Sequence, residues 1–595
     1  SYEDSTQRIF IRLPDILGPE DKLVPPEWLS ATDTDNTFVG HLPDIGSNDM
    51  SGGGADGAFV FPAFDWVPPS FKRDITEIRL TTSLPNRGVA TGEFVSEAVQ
   101  GTTYTAVFKP SPNWRETSVF FGPYEIGEEK LDLPSKEVRL RTYFRNEDLR
   151  LSDDYLRATK GYIKRFSKEI GPYPLSSYAV VSTPLPVGLA FDGLTYVSQD
   201  ILAHSYMLDR SLAHEVLHSW WGNSVLVDYA TGNWSEGLTT YMADYALAED
   251  RGEDEAKAMR HQWLSDLSRL SDEQNTPLRE FQSTSISRGQ AIGYGKAAMV
   301  FHALKQQIGA DAFSEGLQRF WRANEGRVAG WDDIQLAFET ASHKDLATFF
   351  DQWVDGSELP DYAILSARSD VKDGLHSVEL TIDMGPHSGV ATVPLVFETD
   401  GSPTSKYLEL KANQKSYTIT LDAKPVSVAV DPDFHTLRQL ADSELPVILR
   451  DAMSANTVAV FEGSGAKTAT DFVVEKLFSR ADVVTRQPVG AEEPVADVGA
   501  VVGATSEVLA TRARFFDDAP TLPMETGQTL VWVEKDARGQ VWLFVSAENL
   551  DSIATDLAQI RFYARQSWIA FSPNSRPKSD KWSPVSPRIQ VVSKE

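Results

Sequence analysis

His214-Glu215-Val216-Leu217-His218 places two histidines four positions apart with a glutamate between them. On a helix such positions share one face, so both imidazoles can take corners of one zinc tetrahedron. Glu215 then lies where it can act on a zinc-activated water. A plain amphipathic helix with two polar positions satisfies the same five letters, so the motif needs its context. Ser211 is placed to cap this helix and Gly222 to stop it, which gives about a dozen residues or fewer with the ligands in the middle.

A zinc site of this kind needs a third protein ligand and an open fourth position. Glu236 is the candidate. Asn233-Trp234-Ser235 supplies cap-type residues before a second helix, Glu236 to about Asp250. An antiparallel return through the loop Ser224 to Thr231 would bring Glu236 beside the first helix. A carboxylate in a first helical turn also suits the helix dipole, which is the purely structural account of the same residue.

HEVLHSWWGN followed by NWSEGLTTY resembles the zinc aminopeptidases of the aminopeptidase N family, within the gluzincins. Gly171-Pro172-Tyr173-Pro174, Phe121-Gly122-Pro123-Tyr124-Glu125, Tyr294-Gly295-Lys296-Ala297 and the run WVDGSELP from Trp353 resemble further blocks of that family. The resemblance covers roughly residues 58 to 361. It implies one Zn2+ per chain on His214, His218 and Glu236, Glu215 as general base, and Tyr294 as donor to the reacting carbonyl oxygen. A core tyrosine on an apolar helix is the structural account of Tyr294.

Three positions depart from the family pattern. Seventeen residues separate His218 from Glu236, one fewer than usual, as a deletion in the connecting loop would produce. The acid expected to support a histidine ligand falls on Ala243, with Asp244 next to it. The family's G-x-M-E-N stretch, whose glutamate holds the substrate's α-amine, corresponds to a run within Val187 to Tyr196, and whether it is anchored on Gly188 or on Gly193-Leu194-Thr195-Tyr196 no glutamate falls at the amine-binding place. Only Asp192 is acidic there. Gly188 and Asp192 are the candidate substrate-binding residues, and amine recognition is expected to be less strict.

The formal net charge is −29, with the acid spread along the chain. This argues against nucleic acid or an anionic membrane surface as partner; it suits a soluble protein and mildly favours cationic or neutral substrates, with solubility alone or a salt-adapted source the stronger account. There are no cysteines, so disulfides, thiol catalysis and cysteine–zinc sites are excluded. No stretch is long and apolar enough to predict a membrane span. An extracytoplasmic location fits this composition.

The elements that must position these residues divide into four parts, giving a multidomain α+β fold. Residues 1–150 read as an N-terminal β domain, with strand-like runs at 75–80 and 138–144. Asp49 to Gly57 reads as a plain loop, since its aspartates lack calcium-loop spacing. Residues 151–358 read as a thermolysin-like, mainly helical zinc domain, and 359–442 as a small β-sandwich. Residues 443–595 read as an α/β domain, with helices over 468–478 and 550–568. Its Gly463-Ser464-Gly465 turn with Lys467-Thr468 invites a phosphate-loop reading, but the full motif is not met. No long helical array that could close over the site is legible. The expected activity is zinc-dependent hydrolysis of peptide bonds at or near an N-terminus. A non-catalytic scaffold of the same fold, or a metal hydrolase of non-peptide amides, esters or epoxides, are the alternatives.

Overall fold

The computed structural model describes residues 77–594, apart from short segments at 111–117, 184–187, 283–286, 373, 386–389, 412–413, 490–495, 517–521, 523–527 and 573–574. Before residue 77 it describes only the strands Tyr2–Glu3, Arg8–Arg12, Ser51–Gly54 and Gly57–Val60. The chain is a mixed helix-and-sheet, multidomain protein. It separates into two compact units, residues 1–439 with 589–595, and residues 440–588.

In the first unit, strands Glu77–Ser83, Thr103–Lys109 and Glu93–Gln100 pair antiparallel in alternation with burial on every second residue of the first. That alternation is the sign of a sheet buried on one face. Ser51–Gly54 pairs antiparallel with Gly57–Val60, so the described part of the stretch expected to be a plain loop is paired strand. Strands Tyr124–Asp132 and Glu137–Arg145 join Ser177–Thr183, Leu194–Ser198 and the edge strand Gly188–Phe191 in one five-stranded sheet. The break expected near residue 150 therefore falls in the helical connection between two paired strands of one sheet. Its side chains Tyr143, Val181, Leu194 and Tyr196 share a core with Leu80, Phe108 and Phe120 of the preceding strands. Hydrophobic burial, which is indifferent to position along the chain, ties these segments together.

The helix Ser152–Glu169 buries Tyr155, Leu156, Thr159, Ile163 and Phe166, spaced to form one stripe. Helices Leu212–Leu217, Ser235–Thr239, Ala246–Arg251, Glu253–Ser268 and Ala297–Ile308 follow. Three π-helical turns interrupt this set, at Met207–Ser211, Thr240–Tyr245 and Ala291–Lys296. After the helices, two four-stranded sheets enclose a core of Val378, Leu380, Val393, Leu395, Phe397 and Val428. Strand Val592–Ser593 returns from the far end of the chain to pair with Ala363–Lys372, so the final residues do not stay with the α/β part as expected.

The second unit is built on a seven-stranded sheet. Asp482–Pro488, Thr457–Glu462, Val498–Ala504 and Val541–Ala547 run parallel, and Thr529–Lys535 pairs antiparallel with the last of them. One face packs Val460, Val502 and Val545 against Val473 and Ile553; the other packs Phe461, Trp532, Trp542 and Phe544 against Val508. The helix expected over 550–568 is instead a series of short turns, Leu550–Ser552, Ile553–Asp556 and Leu557–Tyr563, and Trp568 opens a strand. Sheet pairing with Thr529–Lys535 takes Trp568 out of the helical run.

Candidate metal centre

The first zinc-motif helix differs in its limits from the expectation. Ser211 is not its cap but lies inside a π-helical turn, with helical torsions and no capping hydrogen bond. The regular helix ends at Leu217, so His218 sits at the C-terminal end rather than in the middle. Gly222, at φ +103°, takes the left-handed turn beyond it. Leu212, Ala213, Val216 and Leu217 are buried, while His214, Glu215 and His218 are the partly open positions of the run.

The second helix begins at Ser235, whose N–H donates to Asn233 Oδ1 at 3.0 Å. Glu236, in its first turn, comes to 3.4 Å from His214 Nε2 and 3.5 Å from His218 Nε2. Among the described residues this is the one group of three whose ligand atoms lie within 4.8 Å of one another. Bond lengths of about 2.0–2.1 Å to tetrahedral zinc require ligand–ligand edges of about 3.4 Å, which the two printed separations match.

The outer nitrogens make the fit specific. His218 Nδ1 lies 2.9 Å from the Trp221 carbonyl, which can only accept, so that nitrogen carries the proton. His214 Nδ1 lies 2.6 Å from Asp244 Oδ2 and donates likewise. With each Nδ1 committed as a donor, both rings turn Nε2 towards Glu236, the nitrogen that a metal would take in place of a proton. Arg210 Nε in turn donates to Asp244 Oδ1 at 2.5 Å.

Asp244, not Ala243, takes the supporting position, and the π turn Thr240–Tyr245 is the reason. A regular helix carries a residue seven places on back to nearly the same face. A π turn absorbs one extra residue, so here the eighth place returns to the face of Glu236.

Charge and burial shape the groups further. Burial raises Glu215 above the ordinary carboxylate range, and His214 and His218 offset that only in part. Burial opposes ionisation of Glu236, but His218 and His214 outweigh it and hold the carboxyl well below its usual range. For His214, burial is outweighed by Asp244 and Glu236, so the ring is more basic than usual.

Tyr294 lies in the third π turn, Ala291–Lys296. Its ring stacks on His214 with centroids 6.2 Å apart and planes 14° from parallel. Burial first, then the charge of Glu236 and a hydrogen bond with it, push the phenol far above its ordinary pKa. Gly188 opens the edge strand, paired with Val197. Asp192 stands at the following hairpin turn, where its carbonyl accepts from Gly92 N–H at 2.8 Å and its charge acts on Tyr173. The structure thus brings Glu215, Tyr294 and the three ligands together. It places Asp192 at the turn between Gly188–Phe191 and Leu194–Ser198. Sequence reading missed Arg210 and the Trp221 carbonyl, since neither a helix register nor a backbone acceptor is written in residue types.

Two histidines from one helix and a glutamate from the next, with a glutamate beside the first histidine, form an arrangement able to hold zinc as gluzincin-type sites do. Comparison with known proteins agrees: residues 192–353 match the Peptidase family M1 domain. Aminopeptidase M1-B of Oryza sativa subsp. japonica is 22% identical over 456 residues, 69% of this chain and 49% of that protein. Aminopeptidase N of Escherichia coli K12 is 27% identical over 184 residues, 29% of this chain and 20% of that protein. A crystal structure of an M1 zinc metallopeptidase from Deinococcus radiodurans aligns with TM-score 0.44 and 24% identity, over 54% of this chain and 74% of that one. The chain is similar to aminopeptidases of this kind, and it spans about half the length, or less, of the curated relatives it matches. No helix among the described residues is long and apolar enough to cross a membrane.

Proposed function

We propose that this chain hydrolyses peptide bonds at or near the N-terminus of its substrate, with zinc held by His214, His218 and Glu236. The observation that carries the reading is the convergence of the three ligand atoms, with Glu215 beside them and Tyr294 stacked on His214. Zinc, when bound there, polarises the scissile carbonyl and makes water a better nucleophile. Glu215 accepts the proton of the attacking water and returns it to the departing amine; its raised basicity suits that exchange. Tyr294 stays protonated at neutral pH and donates to the developing oxyanion. Asp244 and the Trp221 carbonyl hold the imidazoles in the ligating tautomer.

For specificity, a buried α-ammonium needs a carboxylate, or its lost hydration is uncompensated. The stretch Gly188 to Asp192 offers only Asp192, at the hairpin turn. We therefore read the enzyme as less strict about a free N-terminus than its relatives, acting near it.

The decisive variant is Glu215→Gln, assayed on fluorogenic aminoacyl and acetyl-aminoacyl amides with zinc content measured alongside. Zinc should be retained and hydrolysis lost. Normal turnover in the variant would end the proposed mechanism. Complete rejection of acetylated substrates by the unmodified protein would end the relaxed-specificity reading alone.

A further inference from the structure

Lys296 closes the π turn that carries Tyr294, and it is 1% exposed. Its ammonium donates to the carbonyl of Gly356 at 2.9 Å and reaches that of Thr276 at 3.4 Å. Burial pushes its pKa down to about 8, so an apolar side chain would occupy this volume at less cost. What the ammonium supplies, and a methionine would not, is a directional tie between the turn and two loops.

Those loops lead back to the metal centre. Leu278 N–H donates to the Val354 carbonyl at 2.9 Å, joining one loop to the other. The Phe281 carbonyl accepts from Asn233 N–H at 2.6 Å, two residues before the helix of Glu236 begins. Close packing holds the turn on its other sides. A Cβ at Gly237 would come within 2.2 Å of Ala297 Cβ, and one at Gly293 within 2.1 Å of the Phe281 ring. Such apolar contacts limit how far the turn stands from its neighbours but carry no directional preference. The Lys296 bonds do.

We infer that Lys296 is a positioning residue that holds the Tyr294 hydroxyl in register with Glu236 and the reacting carbonyl. The inference rests on the reading of Tyr294 as oxyanion donor. It is tested by a cycle of Lys296→Met, Tyr294→Phe and the double variant, with kcat, KM, zinc content and circular dichroism measured for each. Lys296→Met should keep fold, zinc and KM while kcat falls about ten- to hundredfold, the scale expected for a displaced catalytic group. In the Tyr294→Phe background the same change should cost less than about threefold, because the group it positions is gone. Lys296→Leu, which also removes the N–H donors, replaces the methionine variant in the cycle should that one not fold. Equal losses in both backgrounds, or a loss in zinc or KM instead of kcat, would overturn the inference while leaving Tyr294 its role. Near-normal turnover in Tyr294→Phe itself would remove both.

Discussion

The helices around His214 and the sheet of the second unit treat their polar groups in opposite ways. Around His214 the chemical groups are partly open: His214 is 13% exposed, His218 12% and Glu236 21% at the side chain, inside a shell of buried tryptophans and leucines. All three π-helical turns lie in this region. In the second unit the polar groups close on one another. Arg512 and Glu534 form a buried pair, with Nη2 to Oε2 at 2.6 Å, and Trp532 Nε1 donates to the same carboxylate at 2.6 Å. At the glycine turn, where a phosphate was one reading, Ser464 N–H is taken by Glu507 Oε2 at 3.0 Å. That carboxylate would lie 2.6 Å from a Cβ on Gly463. An internal anion fills the position. Satisfied networks make a scaffold; groups held in place with a free lone pair or proton make a site.

The contrast can be broken most severely at the metal. His218→Ala should lose zinc and all hydrolysis, read by elemental analysis and assay; full zinc retention would dissolve the site as described. In the second unit, Glu534→Ala strands a buried guanidinium and should cost that unit about 3–5 kcal/mol, read by denaturant unfolding. Zinc content should not change, and if it did the two regions would not be the separate cases drawn here.

Smaller effects sharpen the picture. Tyr294→Phe should lower kcat about a hundredfold with KM little changed, the usual loss of one oxyanion donor. Asp244→Asn should weaken zinc binding about ten- to hundredfold, as removal of a histidine's supporting carboxylate does. Competition with a chelator measures it, and unchanged affinity would leave Asp244 merely adjacent. The smallest effect concerns Lys296. Its folded pKa, about 8, lies below the unfolded lysine value, so the unfolded chain holds more protons between the two. Stability therefore rises with pH across that window. Relative to Lys296→Met, the parent should gain about 1–2 kcal/mol from pH 8 to pH 10. A flat difference would show that the ammonium is not strained by burial.

Much of the site was legible because its residues are close in sequence. A four-residue spacing on a helix is enough to put His214 and His218 on one face, and cap-type residues announce the start of Glu236's helix. Asp244 shows where legibility stops. Counting along an ideal helix arrives at Ala243, and nothing in the letters TYMADY announces a π turn. The same holds at Ser211, a good cap by type that the structure enrols in a π turn. Strand Val592–Ser593 pairs with Ala363–Lys372 across the whole of the second unit's sequence, a separation that local pattern does not record.

By itself the sequence determined the chemistry: two imidazoles and two carboxylates in zinc-peptidase order, no thiols, and alternating or helical burial patterns. These follow from residue type and short spacing, which the backbone's fixed periods convert directly into geometry. Tertiary structure decided which acid supports His214, which nitrogen of each ring faces the metal, and what holds Tyr294 in place. Those choices depend on hydrogen bonds between segments distant in the chain, and on helical register that packing, rather than local propensity, selects.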